Sequence, residues 1–152
     1  MKVCIMRHGE AGVSASSDSS RTLTNYGINQ SNQAGKWLKQ QNFQFEIGLV
    51  SPYLRAQQTL TELSSHVSVA KVETNQFLVP GGSSSHIADV LAILLNDGVE
   101  NVIIVSHLPL VGYLVNELCP QVAPPMFSTA AIACISLLPN SAGNLEWFHQ
   151  AE

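Results

Sequence analysis

Two arginines and two histidines stand close behind short apolar runs, where neighbouring strands could bring their side chains together. Arg7 and His8 follow the first run, Arg55 comes soon after the second, and His107 follows a later one. A guanidinium group offers paired donors that match two oxygens of a phosphoryl group. A neutral imidazole can act as the nucleophile, and a second imidazole can donate a proton to a phosphoryl oxygen. The set therefore predicts phosphoryl chemistry in which arginines supply the positive charge, without a metal or other cofactor.

Each of these side chains alone has a simpler explanation. An isolated arginine usually forms a surface ion pair, and a histidine after a buried strand can be purely structural. The chain contains only three arginines, Arg7, Arg21 and Arg55, so their placement is informative. Two arginines and two histidines at the ends of three strands favour a common site over four separate structural roles.

Alternating patterns of apolar residues indicate the elements that position this set. Strands are predicted at Lys2–Met6, Ile47–Val50, Val67–Val72, Val102–Val105, Ile132–Leu138 and Leu145–Phe148. Helices are predicted from Thr24 to about Gln41, Tyr53 to Leu63, Ser85 to about Leu95 and Pro109 to Leu118. This alternation predicts an α/β three-layer sandwich, with a mostly parallel central sheet and helices on both faces. Ligands bind beyond the carboxyl ends of such strands, which is where the arginines and histidines stand.

Length, charge and hydropathy narrow the class of protein. The 152 residues are enough for one domain, spanning 1–152, and 45% of them are hydrophobic. Lysine and arginine number 7 against 11 acidic residues, a net charge of −4 without a basic cluster. The composition argues against a nucleic-acid or membrane partner, and no apolar run is long enough to span a bilayer. Together with the lack of a signal peptide, it predicts a cytoplasmic protein, in which three unpaired cysteines are buried core thiols.

Several motifs stand in an order that resembles the histidine phosphatase superfamily, which has the phosphoglycerate-mutase-like fold. The first is the triplet Arg7-His8-Gly9 after an amino-terminal strand. It is followed by Leu23-Thr24-x-x-Gly27, Ser51-Pro52-x-x-Arg55-Ala56-x-x-Thr59 and Val105-Ser106-His107. The triplet alone is weak, whereas the ordered set is specific. The short chain and the segment from Ser106 to Gly112 look most like the SixA-type phosphohistidine phosphatases, and that likeness extends through Pro124-Pro125-Met126-Phe127.

The resemblance implies a role for each residue of the set. His8 is expected to be the nucleophile that carries the phosphoryl group, while Arg7, Arg55 and His107 hold its oxygens. Arg21, which follows a serine-rich loop, is expected to be a further contact at the rim. Glu10 either orients the pocket or is a solvated loop carboxylate. The implied partner is a phosphohistidine-bearing protein: the histidine phosphotransfer domain of a sensor kinase, or a phosphocarrier protein.

The segment from Glu73 to Ser85 departs from the larger phosphomonoesterases of the superfamily, which carry an acidic proton donor in this region. No convincing acid is present here, and an alkoxide leaving group needs one. About 30 residues separate Val72 from Val102, too few for a capping insertion, so the pocket is expected to be open. Both features favour phosphohistidine on a protein. The alternatives are a small-molecule phosphomonoesterase or mutase of the same fold and a phosphate-binding module without activity.

Overall fold

The computed structural model describes residues 1–150, which form one six-stranded sheet and four α-helices. The strands are β1 Lys2–Arg7, β2 Ile47–Val50, β3 Val72–Thr74, β4 Asn101–Ser106, β5 Ile132–Ser136 and β6 Asn144–His149. The helices are α1 Asn25–Gln40, α2 Leu54–Leu63, α3 Ser84–Asn96 and α4 Leu110–Leu118. Two short 3-10 turns, Asp18–Ser20 and Gln76–Leu78, lie in the connections. The alternation of strands and helices is the one that the sequence predicts.

The sheet has the strand order β3-β2-β4-β1-β5-β6 and is mostly parallel. Strands β3, β2, β4 and β1 run parallel, whereas β5 is antiparallel to β1 and β6 is antiparallel to β5. The β-branched strand β4 lies between β2 and β1, as expected for a strand that is buried on both faces. Its register with β1 pairs Arg7 with Ser106. The carboxyl ends of the two central strands therefore lie side by side.

Alternate residues of the central strands enter two separate cores, which confirms the three-layer α/β architecture. In β1, Val3 and Ile5 pack into the core beneath α3 and α4, while Cys4 and Met6 pack into the core beneath α1 and α2. All four side chains are fully buried. Burial of one large apolar side chain contributes about 1.5–3 kcal/mol, so the two cores hold the strand ends in fixed positions.

The third strand lies later in the chain than Val67–Val72, so that prediction was wrong in position. Helix α2 continues into a final turn in which the Val67 amide donates to Leu63 O. Only an isolated bridge between Phe45 and Val69 precedes the ladder, which then pairs Gly48 with Val72. The segment immediately after α2 thus ends the helix, and only three exposed residues remain for the edge strand.

The predicted starts of three helices differ from the observed ones by one or two residues. Ser83, not Ser85, caps α3, since Ser83 Oγ accepts from the His86 amide at 3.1 Å. Helix α2 begins at Leu54, and α4 begins directly after Pro109. Three consecutive serines are equally suited to an N-cap, so local sequence cannot choose among them. The predicted cap of α1, Thr24, is confirmed by the bond from the Gly27 amide to its Oγ1.

The three cysteines are buried free thiols, as expected for small core residues. Cys4 lies opposite Cys134 across the β1–β5 pair, and burial raises the pKa of the Cys4 thiol. Within residues 1–150, every helix is too short or too polar to cross a membrane.

Candidate active site

The carboxyl ends of β1, β2 and β4 bring the two histidines together. The His8 amide donates to Ser106 O at 3.0 Å, and the Ser51 amide donates to Val105 O at 3.1 Å. These bonds continue the parallel ladders by one residue beyond the strands. The ring centroids of His8 and His107 are consequently 5.0 Å apart.

The His8 ring has a fixed tautomer with its lone pair on Nε2. Its Nδ1 lies 2.7 Å from Gly9 O, and a carbonyl oxygen can only accept, so Nδ1 carries the proton. The Nε of Arg55 donates to His8 Nε2 at 3.2 Å, which requires an unprotonated nitrogen there. The neutral ring therefore presents Nε2 as its nucleophilic atom.

Burial keeps His8 neutral well below physiological pH. The side chain is only 6% exposed, and burial lowers its pKa to about 4, although the bond to Gly9 O works in the opposite direction. The positive charges of Arg55 and Arg7 contribute to this lowered pKa. A cationic histidine has no lone pair to attack with, so the environment selects the reactive form.

His107 is oriented as a hydrogen-bond donor towards the same space. Its Nε2 lies 2.7 Å from Ser51 Oγ, which also accepts from the Tyr53 amide at 3.1 Å. Among residues 1–150, His107 Nε2 is the one acceptor in contact with the Ser51 hydroxyl, so the hydroxyl proton points to Nε2 and the ring proton lies on Nδ1. Burial, followed by the charges of His8 and Arg55, lowers the pKa of His107 to about 3. Its Nδ1 is buried without a hydrogen-bond partner among residues 1–150.

Arg7 is anchored at one end and unpaired at the other. Its Nη1 donates to Phe127 O at 3.0 Å, whereas its Nε is buried with no hydrogen-bond partner within the described residues. Burial and the nearby Arg55 charge lower the pKa of Arg7. An unsatisfied buried N–H is costly, so Arg7 Nε and His107 Nδ1 are donors suited to an oxyanion.

Arg55 is buried at the first turn of α2 and is 4% exposed. Its Nη1 donates to Asp18 O at 2.6 Å, and its Nη2 lies 3.3 Å from Asp18 Oδ2. The other carboxylate oxygen of Asp18 is 3.1 Å from Arg21 Nη1, and Arg21 Nε donates to Gly12 O. Arg21 thus lies at the rim and is joined to Arg55 through a shared carboxylate.

The backbone that carries His8 is held from two sides. The Ala130 amide donates to both Arg7 O and His8 O, and Ala130 adopts a positive φ of 63° to do so. On the other side, the Gly9 amide donates to Thr59 Oγ1 at 3.0 Å. Thr59 lies one helical turn after Arg55 on the same face of α2. The helix therefore holds both Arg55 and the loop that carries His8.

Two glycines allow the loop after β1 to touch the first turn of α1. A Cβ at Gly9 would lie 2.6 Å from Gly27 O, and one at Gly27 would collide with Glu10 O. Any larger residue at either position would push α1 away from the loop that carries His8. The close approach explains why both motifs contain glycine.

Comparison with known proteins identifies the family. The model of the histidine phosphatase superfamily, branch 1, matches residues 3–78, which contain Arg7, His8 and Arg55. The chain is also 46% identical, over 148 residues, to phosphohistidine phosphatase SixA from Escherichia coli, covering 97% of this chain and 92% of that protein. The chain belongs to the histidine phosphatase superfamily.

Another relative and a solved structure are similar to this chain over most of their length. A SixA homolog from Haemophilus influenzae is 43% identical over 141 residues, covering 88% of this chain and 86% of that protein. The solved structure of the protein histidine phosphatase SixA complexed with tungstate superimposes with a TM-score of 0.96 at 45% identity. It covers 99% of this chain and 97% of the matched chain. The likeness confirms the predicted fold, which matches that of SixA.

The structure brings together the four residues that sequence reasoning selected. Arg7, His8, Arg55 and His107 surround one space, and Arg21 lies at its edge. Glu10 is exposed, and its Oε1 accepts from Thr24 Oγ1 at 2.9 Å. Glu10 is accordingly a solvated loop carboxylate.

Two residues of the site escaped the sequence analysis as functional side chains. Ser51 was given no role of its own, although it follows a buried strand as His8 and His107 do. Asp18 stands in a serine-rich loop without periodicity, so only the folded chain reveals its contacts with Arg21 and Arg55.

Asp18 and Glu73 are unsuited to proton donation. Hydrogen bonds from Arg21, and then from Arg55, lower the pKa of Asp18, which is therefore ionised at neutral pH. Glu73 is half exposed and lies 2.8 Å from Lys71 Nζ. Within residues 1–150, no three His, Cys, Asp or Glu side chains cluster in a way that could hold a metal ion.

Proposed function

We propose that this chain is a phosphohistidine phosphatase that hydrolyses phosphohistidine on a protein through a phosphorylated His8. The observation that carries the proposal is the fixed geometry at His8, where a neutral Nε2 faces Arg55 and lies beside unsatisfied donors on Arg7 and His107. The similarity to SixA over nearly the whole chain supports the same activity.

The reaction has two steps, each of which transfers one phosphoryl group. In the first, His8 Nε2 attacks phosphorus, the N–P bond of the substrate breaks, and the departing imidazole nitrogen takes up a proton. In the second, water attacks the phosphorylated His8, the P–Nε2 bond breaks, and inorganic phosphate leaves. Arg7, Arg55 and His107 hold the equatorial oxygens in both steps, and Arg21 contributes positive charge at the rim. Such preorganised donors stabilise the charge that the transition state spreads over these oxygens.

A tetrahedral oxyanion fits the donors that line this space. The SixA structure that superimposes on this chain is complexed with tungstate. Tungstate resembles phosphate in shape and charge, and the present site offers it two guanidinium groups and an imidazole N–H. The donor set needs no divalent cation to neutralise such an anion.

Two features of the described residues support an N–P bond as the one that is cleaved. Asp18, in the loop after β1, and Glu73, in the edge strand β3, are held in ion pairs rather than poised to protonate an alkoxide. Imidazole leaves more readily, because its nitrogen is protonated by solvent near neutral pH. Residues 75–100 contain a short 3-10 turn and α3, which packs Ile87 and Leu91 into the core, so this segment holds no capping insertion.

A phosphohistidine-bearing protein is the partner class that follows from this activity. We propose specifically a histidine phosphotransfer domain of a sensor kinase, or a phosphocarrier protein, as the phosphoryl donor. We also propose that residues 1–152 act as a single domain, because all six strands belong to one sheet, and that the protein works in the cytoplasm, where phosphorelays operate.

The test is a comparison of kcat/KM for three substrates: a phosphohistidine protein, a phosphoserine peptide and a sugar phosphate. The proposal predicts that the phosphohistidine protein is strongly preferred. His66→Ala is the matched control for His8→Ala, since His66 bonds to Asn32 outside the site. Preference for a sugar phosphate would instead identify a small-molecule phosphomonoesterase, and phosphate binding without turnover of any substrate would identify a binding module.

A further inference from the structure

Asp18 joins two cations of the site through one carboxylate. Its Oδ1 lies 3.1 Å from Arg21 Nη1 and its Oδ2 lies 3.3 Å from Arg55 Nη2. Within residues 1–150, these are the two ion pairs that arginines form with carboxylates. The Asp18 side chain is 57% exposed, whereas that of Arg55 is 5% exposed. A surface carboxylate thus reaches inwards to a buried guanidinium.

The contacts of Asp18 divide the Arg55 guanidinium into two edges. The outer edge, formed by Nη1 and Nη2, is occupied by Asp18 O at 2.6 Å and by Asp18 Oδ2. The other edge begins at Nε, which donates to His8 Nε2 at 3.2 Å. Because the five N–H groups lie in one rigid plane, fixing the outer edge also fixes the direction of the inner one. The inner edge therefore faces the atom at which phosphorus must arrive.

The serine-rich loop holds Asp18 in the conformation that these contacts require. The Ser17 amide donates to Ser20 Oγ at 3.1 Å, and Ser20 Oγ donates to Ser17 O at 3.0 Å, so these two serines close the Asp18–Ser20 turn. The Arg21 amide donates back to Asp18 O at 3.3 Å. Both the backbone oxygen and the carboxylate of Asp18 are thereby directed towards α2. The serines of this loop therefore stabilise the turn that presents Asp18, a role that the sequence pattern did not reveal.

We propose that Asp18 is a positioning residue, which clamps the outer edge of Arg55 and ties Arg21 to it so that both cations face the phosphoryl group. The inference rests on the proposed function for its effect on turnover, but its effect on oxyanion binding is independent of turnover. Asp18 does not touch the reacting atoms. Its action on the reaction passes through the two arginines.

A different role for Asp18 makes the opposite prediction. If the carboxylate competed with the phosphoryl group for Arg55, its removal would strengthen the binding of oxyanions. If it positions Arg55, removal weakens that binding, because the inner edge loses its fixed direction. The sign of the change in affinity therefore separates the two roles.

The experiment measures tungstate affinity by calorimetry, and kcat and KM with a phosphohistidine protein, for Asp18→Asn and the wild-type protein. Substitution of a residue that orients a functional group typically costs about 10- to 100-fold, so we expect tungstate affinity and kcat each to fall by about 10-fold. Glu10→Gln is the matched control, since it removes one negative charge from the same loop without touching an arginine. It should leave both quantities within about twofold of wild type.

A double-mutant cycle separates positioning from a general effect on the fold. In the Arg55→Lys background Asp18 has no planar guanidinium to orient at residue 55 and only the Arg21 contact to lose, so Asp18→Asn should there lower kcat by much less than the 10-fold expected in the wild-type background. Asp18→Asn is nearly isosteric, and its melting temperature, compared with that of Glu10→Gln, establishes that the variant is folded. Tighter tungstate binding in Asp18→Asn, unchanged affinity and kcat, or a full additional loss in the Arg55→Lys background would each overturn the proposal. Loss of tungstate affinity in a protein that lacks phosphohistidine hydrolysis would support the clamp while refuting the proposed function.

Discussion

Replacement of Arg55 removes the donor that lies closest to the nucleophilic nitrogen. Arg55→Ala abolishes the bond from Nε to His8 Nε2, and with it one edge of donors in a site that is 4% exposed at this residue. Loss of one preorganised donor to a transition-state oxyanion costs about 2–4 kcal/mol. At 1.36 kcal/mol for each tenfold change, the expected fall in kcat/KM is about 30- to 1000-fold.

Lysine should recover little of this loss. An ammonium group keeps the charge, but it cannot donate to His8 Nε2 while also holding the backbone oxygen and the carboxylate of Asp18. Arg21→Ala should cost less than Arg55→Ala, because Arg21 lies at the rim and its side chain is 29% exposed.

The assay is the initial rate of phosphate release from a phosphohistidine protein, measured over a range of substrate concentrations for wild type, Arg55→Ala and Arg55→Lys. The pH dependence gives a second readout, since the Arg55 charge helps to lower the pKa of His8. In Arg55→Ala the acidic limb of kcat/KM should therefore move to higher pH. Near-native activity in Arg55→Lys would refute the reasoning, because it would show that the site requires only a positive charge and not the planar donors of a guanidinium group.

Three further predictions concern the metal requirement, the stability and the docking of substrate. Activity should survive exhaustive treatment with a chelator, because arginines supply the charge that a metal would give, and recovery only on adding zinc or magnesium would contradict this. Folding stability should fall as pH drops from about 6.5 towards 4, because His8 and His107 take up protons in the unfolded chain but stay neutral in the folded one, where their pKa values are lowered. Chemical denaturation across this pH range should show a smaller fall in the free energy of unfolding for His107→Asn than for wild type. Met126 is 78% exposed and adjoins Phe127, whose carbonyl anchors Arg7, so Met126→Glu should raise KM for a phosphohistidine protein without slowing hydrolysis of small phosphoramidates. Leu138→Glu, which alters a side chain 68% exposed on the β5–β6 hairpin, is the control and should change neither quantity.

The strand ends could be predicted from sequence because burial on both faces leaves a clear pattern. The run Val102–Val105 is continuous and β-branched, and polar residues follow it at once. In a parallel sheet such ends must share one edge, so the meeting of His8 with His107 followed from topology alone. The order of elements was predictable for the same reason.

The edge of the sheet and the loop contacts could not be predicted in the same way. Strand β3 has three exposed residues, and its position depends on where α2 ends and on its pairing with Gly48. Asp18 reaches Arg55 across 37 positions of the chain through a turn that only the folded loop defines. Local patterns carry no information on such a contact, because it depends on tertiary packing.

The tautomer of each histidine was also beyond sequence reasoning. It depends on which polar atom faces each ring nitrogen: Gly9 O for His8 Nδ1, and Ser51 Oγ for His107 Nε2. These contacts assign the lone pair of His8 to Nε2. The structure therefore identifies Nε2 of His8 as the nucleophilic atom, whereas the sequence could indicate only the residue.

The most direct test of the central claim is to trap the phosphorylated enzyme. A phosphohistidine protein is mixed with the enzyme for milliseconds, the reaction is quenched in alkali, which preserves phosphohistidine, and the peptide that contains residue 8 is examined by mass spectrometry. The account predicts a phosphoryl group on His8, at Nε2, which forms before phosphate is released and never appears on the His8→Ala variant. Release of phosphate in a single turnover without any phosphoryl group on His8, or rapid hydrolysis by His8→Ala, would contradict it.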